Sequence, residues 1–153
     1  MSRKIILVRP QIPQNTGTIA RLCAATNTQL DLVGPLGFSL SDKYLKRAGL
    51  DYWPYVNWQH FDNEETYFDD VDPKNMVLLS RHATRPYTDI TYNSETVLIF
   101  GSETKGLDPE FRKAHQDRCV LIPMANPNIR SLNLANSVSI VLYEQLRQLQ
   151  AEK

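Results

Sequence analysis

Short apolar runs punctuate the chain: Ile5–Val8, Leu30–Val33, Met76–Leu79, Val97–Phe100 and Val120–Ile122. Each is too short for a buried helix and rich in leucine and β-branched residues, which suits strands buried on both faces of a parallel sheet. Between the runs the periodicity turns helical. Residues 16–26 place Ile19, Ala20, Leu22 and Cys23 near one face. Residues 42–48 read as a short basic helix and 62–69 as a short acidic one. Asp108-Pro109-Glu110 offers an N-cap, a first-turn proline and an acid suited to the positive end of a helix. The last helix has the strongest pattern, an apolar stripe through Leu134, Val138, Val141, Leu142, Leu146 and Leu149. Strand–helix alternation predicts an α/β fold: a mostly parallel sheet with helices on both faces. The length, 153 residues, predicts a single domain over 1–153. Ligands of such sheets sit beyond the carboxyl ends of the strands, so the residues after Leu79, Phe100 and Ile122 are where chemistry is expected.

Composition is that of an ordinary globular protein, 42% hydrophobic and 22% charged. No apolar run approaches the roughly 20 residues of a bilayer span. The run at Ile5–Val8 is too short for the core of a secretion signal. A cytoplasmic location follows as the expectation, and Cys23 and Cys119 fit buried, reduced thiols. His60, His82 and His115 stand alone, without metal-ligand spacing, so no metal is expected.

Charge adds one refinement. The formal net charge is zero, yet the acids cluster between Asp62 and Asp72, leaving the remaining surface mildly basic. That surface permits RNA binding. Lys43, Lys46, Arg47, Arg81, Arg85 and Arg130 are the candidates for phosphate contact. The aromatic run Tyr52, Trp53, Tyr55 and Trp58 could stack bases, but core and loop packing explains it better.

Three motifs carry candidate chemistry. Asn15-Thr16-Gly17-Thr18-Ile19-Ala20-Arg21 follows the first strand; Asn15 could cap the helix, whose uncovered first turn suits a phosphate or polar ligand as well as plain capping. Phe100-Gly101-Ser102-Glu103-Thr104-Lys105-Gly106-Leu107 runs from a buried strand into a glycine-bearing loop, where backbone can approach a ligand or make a tight turn. Leu107-Asp108 after Gly106 rules out a phosphate-binding P-loop, and no Gly-x-Gly-x-x-Gly occurs. Ile122-Pro123-Met124 leads to Arg130-Ser131-Leu132-Asn133-Leu134-Ala135-Asn136-Ser137-Val138. Ser131, Asn133, Asn136 and Ser137 are more polar groups than one helix start needs for capping.

These three motifs, in this order, resemble those of the SPOUT class of RNA methyltransferases. With Asp42-Lys43 and Arg47-Ala48-Gly49-Leu50-Asp51-Tyr52, the chain is most similar to the short, single-domain members that methylate the 2′-hydroxyl of a cytidine or uridine at the tRNA wobble position. The resemblance spans residues 5–148. It implies a C-terminal trefoil knot, a homodimer joined through the N- and C-terminal helices, and S-adenosylmethionine as methyl donor. It implies a donor pocket of Leu79, Gly101, Glu103, Ile122, Met124, Ser131 and Leu132, with Arg21 at the catalytic centre. Asn15, Lys43, Arg47 and Arg130 are the implied tRNA contacts, and Tyr143 falls on a matching position. A guanidinium stays protonated, so the role implied for Arg21 is charge stabilisation rather than general base. Two alternatives remain: methylation of another tRNA or ribosomal RNA ribose, and a non-catalytic RNA-binding module on the same fold.

Overall fold

The computed structural model describes residues 3–49 and 52–151; Leu50 and Asp51, part of the motif running from Arg47 to Tyr52, lie outside the described residues. Strand β1 (Lys4–Val8) leads into α1 (Pro13–Thr26) and β2 (Gln29–Val33). Helix α2 (Lys43–Gly49) and a 3-10 turn at Trp53–Tyr55 precede β3 (Trp58–Phe61) and α3 (Glu64–Asp69). Then come β4 (Met76–Leu79), β5 (Val97–Phe100), α4 (Pro109–Ala114), β6 (Cys119–Val120) and α5 (Leu134–Ala151). The strands form one sheet in the order β3-β2-β1-β5-β4-β6, and every neighbouring pair is parallel.

Side chains alternate across a strand, and β1 shows what each face needs. Ile5 and Leu7 join one core with Ile19, Ala20 and Cys23 of α1 and Val138, Val141 and Leu142 of α5. Ile6 and Val8 join the opposite core, which Tyr67 and Phe68 of α3 and Phe111 of α4 cover. Both faces of the sheet are therefore dry, which explains why the strands read as unbroken apolar runs. Asp31 breaks the pattern in β2. It is 1% exposed, and Tyr67 Oη donates to its carboxylate at 2.5 Å while Lys4 Nζ lies at 3.3 Å and Gln29 Nε2 donates at 2.9 Å.

One strand was not expected and three expectations shift. The strand at 58–61 carries no apolar run, because as an edge strand it pairs only with β2 and keeps Gln59 exposed. The final strand is shorter than Val120–Ile122: Leu121 turns its backbone to Arg85 and Tyr87 instead of β4. Helix α1 begins at Pro13, three residues early, with Ile12 as N-cap. Asn15 is thus inside the helix and does not cap it. In α4, Asp108 occupies the N-cap position without a side-chain hydrogen bond.

Helix α5 is tied to the segment between β4 and β5. Gln145 Nε2 donates to the carbonyls of Asn93 and Thr96 at 3.0 and 3.1 Å, and Gln148 bonds to both Ile90 and Tyr92. Gln145, fully buried, and half-buried Gln148 satisfy backbone that no strand or helix partner reaches. Among the described residues, no helix is long and apolar enough to cross a membrane.

Candidate functional site

Strands β5, β4 and β6 are neighbours, so the segments leaving their carboxyl ends converge. They enclose a cleft of about 320 Å³, within the range of small-ligand sites. Its walls come from 79–82 after β4, 100–107 after β5, and 130–137, which crosses into α5. Leu79, Phe100, Leu107, Leu132 and Leu134 supply apolar surface; Ser80, Ser102, Ser131 and Ser137 supply hydroxyls; Arg81, His82, Lys105, Arg112 and Arg130 supply nitrogen donors. Of the expected donor pocket, Leu79, Gly101, Glu103, Ser131 and Leu132 line this space, as does Arg130 from the expected tRNA contacts.

Gly101 is held by the loop itself. A Cβ there would lie 2.1 Å from the carbonyl carbon of Gly106 and 2.3 Å from the nitrogen of Leu107. The 101–107 loop closes on itself at that point, pinned by Gly106 N donating to Ser102 O at 2.9 Å. Gly106 has a φ of +67°, the left-handed region that favours glycine, and open space where a Cβ would go. Each glycine thus serves a different need.

Glu103 spends its carboxylate on α1. Its Oε1 accepts from Gln11 N at 2.8 Å, and its Oε2 accepts from Ile12 N at 2.8 Å and Asn15 Nδ2 at 3.2 Å. A negative group at a helix start satisfies free N–H groups and matches the helix dipole. Glu103 therefore does what no local side chain does for α1. Asn15, 8% exposed, also accepts from Asn133 Nδ2 at 3.1 Å. Asn133 in turn caps α5, accepting from Asn136 N at 3.2 Å. Of the surplus polar groups around Ser131–Ser137, Asn133 thus ties α5 to α1 and, through Asn15, to Glu103 of the 101–107 loop. The motif assigns Glu103 to the donor; the i+3 spacing that exposes a capping pair does not exist when the partners are 91 residues apart.

The other expected residues are dispersed. Ile122 packs against the core beneath α5, and Met124 is 36% exposed; neither lines the cleft. Arg21 is exposed on α1, outside the cleft lining, with its guanidinium carbon 4.7 Å from the Tyr52 ring centroid. Lys43 and Arg47 are exposed on α2, which packs on α1. Tyr143 is 55% exposed on α5. In the aromatic run, Trp53 and Trp58 pack against the core edge-to-face at 5.4 Å, whereas Tyr55 is left out on the surface.

A larger hollow, about 790 Å³, opens beside Arg9 and Phe111. Asp62, Glu64, Glu65 and Asp108 line it, and its one cation, Arg9, is paired with Glu64. A polyanionic ligand would be repelled there, so the cationic cleft is the better candidate for one.

A fully parallel α/β sheet whose three adjacent strand ends surround one mixed apolar and cationic cleft defines the class of small-molecule-binding α/β enzymes. Residues 2–143 match the SpoU rRNA Methylase family, and the chain belongs to that family. A tRNA (cytidine(34)-2'-O)-methyltransferase of Methylovorus glucosotrophus is 47% identical over 145 residues, 94% of each chain. A solved structure described as giving structural insights into the 2-OH methylation of C/U34 on tRNA superposes with a TM-score of 0.92 at 36% identity, covering 98% of this chain and 97% of that one. The SpoU methyltransferase AviRb of Streptomyces viridochromogenes, solved with the cofactor AdoMet, has a TM-score of 0.81 at 27% identity over 95% of this chain and 59% of its own.

Proposed function

We propose that this chain transfers a methyl group from S-adenosylmethionine to the ribose 2′-hydroxyl of a cytidine or uridine at the tRNA wobble position. The carrying observation is the convergence of the segments that follow β4, β5 and β6 on one cleft, the latter two bearing the second and third motifs. The cleft's size and mixed lining suit an adenosyl group. Leu79, Leu107, Leu132 and Leu134 offer an apolar slot for a purine ring, and Ser131 and Ser137 offer hydroxyls for its polar edges. The backbone of Ile122 to Met124 completes the donor site in this reading, since it follows Val120, the β6 partner of Leu79.

S-adenosylmethionine bound there supplies an electrophilic methyl group on a good leaving sulfur. The chain's own task is to orient the hydroxyl and offset charge growing on its oxygen. We assign that charge stabilisation to Arg21, with an RNA phosphate oxygen taking the proton. Arg21 lies outside the cleft of its own chain, so its assignment goes with a homodimer in which α1 and α5 bring it to the second copy's cleft. Lys43, Arg47 and Arg130 are assigned to the tRNA; Asn15, expected as a tRNA contact, is buried and bonded to Glu103 and Asn133, so it and Glu103 are assigned to anchoring α1. One domain over 1–153, a C-terminal trefoil knot, and a cytoplasmic site of action belong to the same reading.

The test is nucleoside mass spectrometry of tRNA incubated with the purified protein and S-adenosylmethionine. The reading expects 2′-O-methylcytidine or 2′-O-methyluridine that is absent without protein. A base-methylated product, or none, would contradict it.

A further inference from the structure

The cleft holds more positive charge than its donor needs. Arg81, Lys105 and Arg112 line it, and none has a carboxylate partner within ion-pair distance among the described residues. The one acid in the lining, Glu103, already accepts three hydrogen bonds from the start of α1. With Arg130, which also lines the cleft and has no carboxylate partner among the described residues, they make four uncompensated cations in a chain of zero net charge, and an anion joining them offsets their mutual repulsion.

The rim is also partly built in place. Half-buried Arg112 on α4 donates its Nε to Leu107 O at 3.3 Å, which fixes the guanidinium plane and leaves its two terminal nitrogens for a ligand. Arg81 follows β4 in a turn where His82 N donates to Ser80 Oγ at 3.1 Å. Burial, and then the charges of Arg112 and Arg81, push the His82 imidazole below its ordinary pKa. Lys105 comes from a third, held by its N–H donating to Ser102 Oγ at 3.2 Å.

We propose that Arg81, Lys105 and Arg112 form an anion subsite that grips a backbone phosphate of the RNA beside the target nucleotide. A sulfonium donor is itself cationic at sulfur and at its amino group and carries one carboxylate, so three cations exceed its demand. A polyanion matches them, and planar guanidinium groups suit phosphate. The subsite rests on the proposed methyl transfer to RNA and places the strand so that the ribose enters the cleft from the rim formed by 81, 105 and 112.

The test measures tRNA affinity against salt for the wild type, for Arg81→Gln/Lys105→Gln, and for Arg112→Gln, with donor affinity by calorimetry on the same proteins. Arg112 is varied alone because its Nε also supports the loop; thermal melts show whether each variant is folded. The subsite predicts a tRNA affinity lower by about 5- to 10-fold and a salt slope shallower by roughly 0.7–0.9 for each phosphate no longer neutralised, with donor affinity unchanged. Unchanged tRNA affinity and slope in the folded double variant would overturn it. So would a loss of donor affinity instead, which would give the cations to the donor's carboxylate. If the wild type leaves tRNA unmethylated but the slopes still fall, the methyl-transfer reading fails while the phosphate grip stands.

Discussion

Replacing Glu103 by alanine separates two roles that the motif alone confounds. The carboxylate accepts from Gln11 N, Ile12 N and Asn15 Nδ2. Gln11 is exposed and Ile12 is 41% exposed, so water replaces most of what those two N–H groups lose. Asn15 is 8% exposed, and its amide would be left short of an acceptor, at about 1–3 kcal/mol. Loss of a negative group at the start of α1 adds about 0.3–1 kcal/mol. The sum is about 2 kcal/mol, or a Tm lower by about 4–8 °C. Urea denaturation with an unchanged m-value measures the stability, and calorimetry measures the affinity for S-adenosylmethionine. A helix-anchoring Glu103 predicts that stability falls while donor affinity stays within about twofold. A stability change below about 0.5 kcal/mol, the size of an ordinary surface substitution, together with a tenfold loss of donor affinity, would refute the reasoning and return Glu103 to the donor.

Other expectations follow from the same geometry. Gly101→Ala should destabilise the protein by more than about 3 kcal/mol and abolish donor binding, because its Cβ meets backbone at 2.1 Å; Gly106→Ala should cost only about 1–2 kcal/mol, since its difficulty is a φ of +67° in open space. Equal melting temperatures for the two variants would contradict this. Arg21→Ala should lower kcat by about 100-fold with donor affinity intact, read from single-turnover methylation. Tyr67→Phe should cost about 1.5–3 kcal/mol in urea unfolding through the lost bond to Asp31. Burial and the Asp31 carboxylate raise the Tyr67 pKa in the fold, so its contribution is complete below about pH 10 and fades as pH rises beyond that; Tyr67→Phe should lose less stability than the wild type between neutral and strongly alkaline pH. Burial lifts the Cys23 thiol to about 12, so it should resist alkylation at pH 8 until the protein unfolds.

What could be read from the sequence was what local pattern governs. The runs at Met76–Leu79 and Val97–Phe100 match β4 and β5 residue for residue, because strands covered on both faces admit few polar side chains. The stripe after Leu134 marked α5 through its helical spacing. The strand ends at Leu79 and Phe100 led directly to the cleft walls. Trp58–Phe61 was hidden because an edge strand needs no apolar run. The true start of α1 was hidden because its capping group arrives from Glu103, far along the chain. The purpose of Gly101 was half legible: close approach was expected, but the approaching group is the loop's own Gly106. Arg21 could be recognised by its motif, yet only tertiary structure shows it resting on Tyr52 away from its own chain's cleft.

The most direct measurement is the structure of the full chain crystallised with S-adenosylhomocysteine. The ligand is expected between Leu79, Gly101 and Leu132, with Glu103 still bonded to the start of α1. The same ligand lodged in the acidic hollow beside Arg9 and Phe111, with the cleft beyond β4 and β5 closed to it, would contradict the proposed donor site.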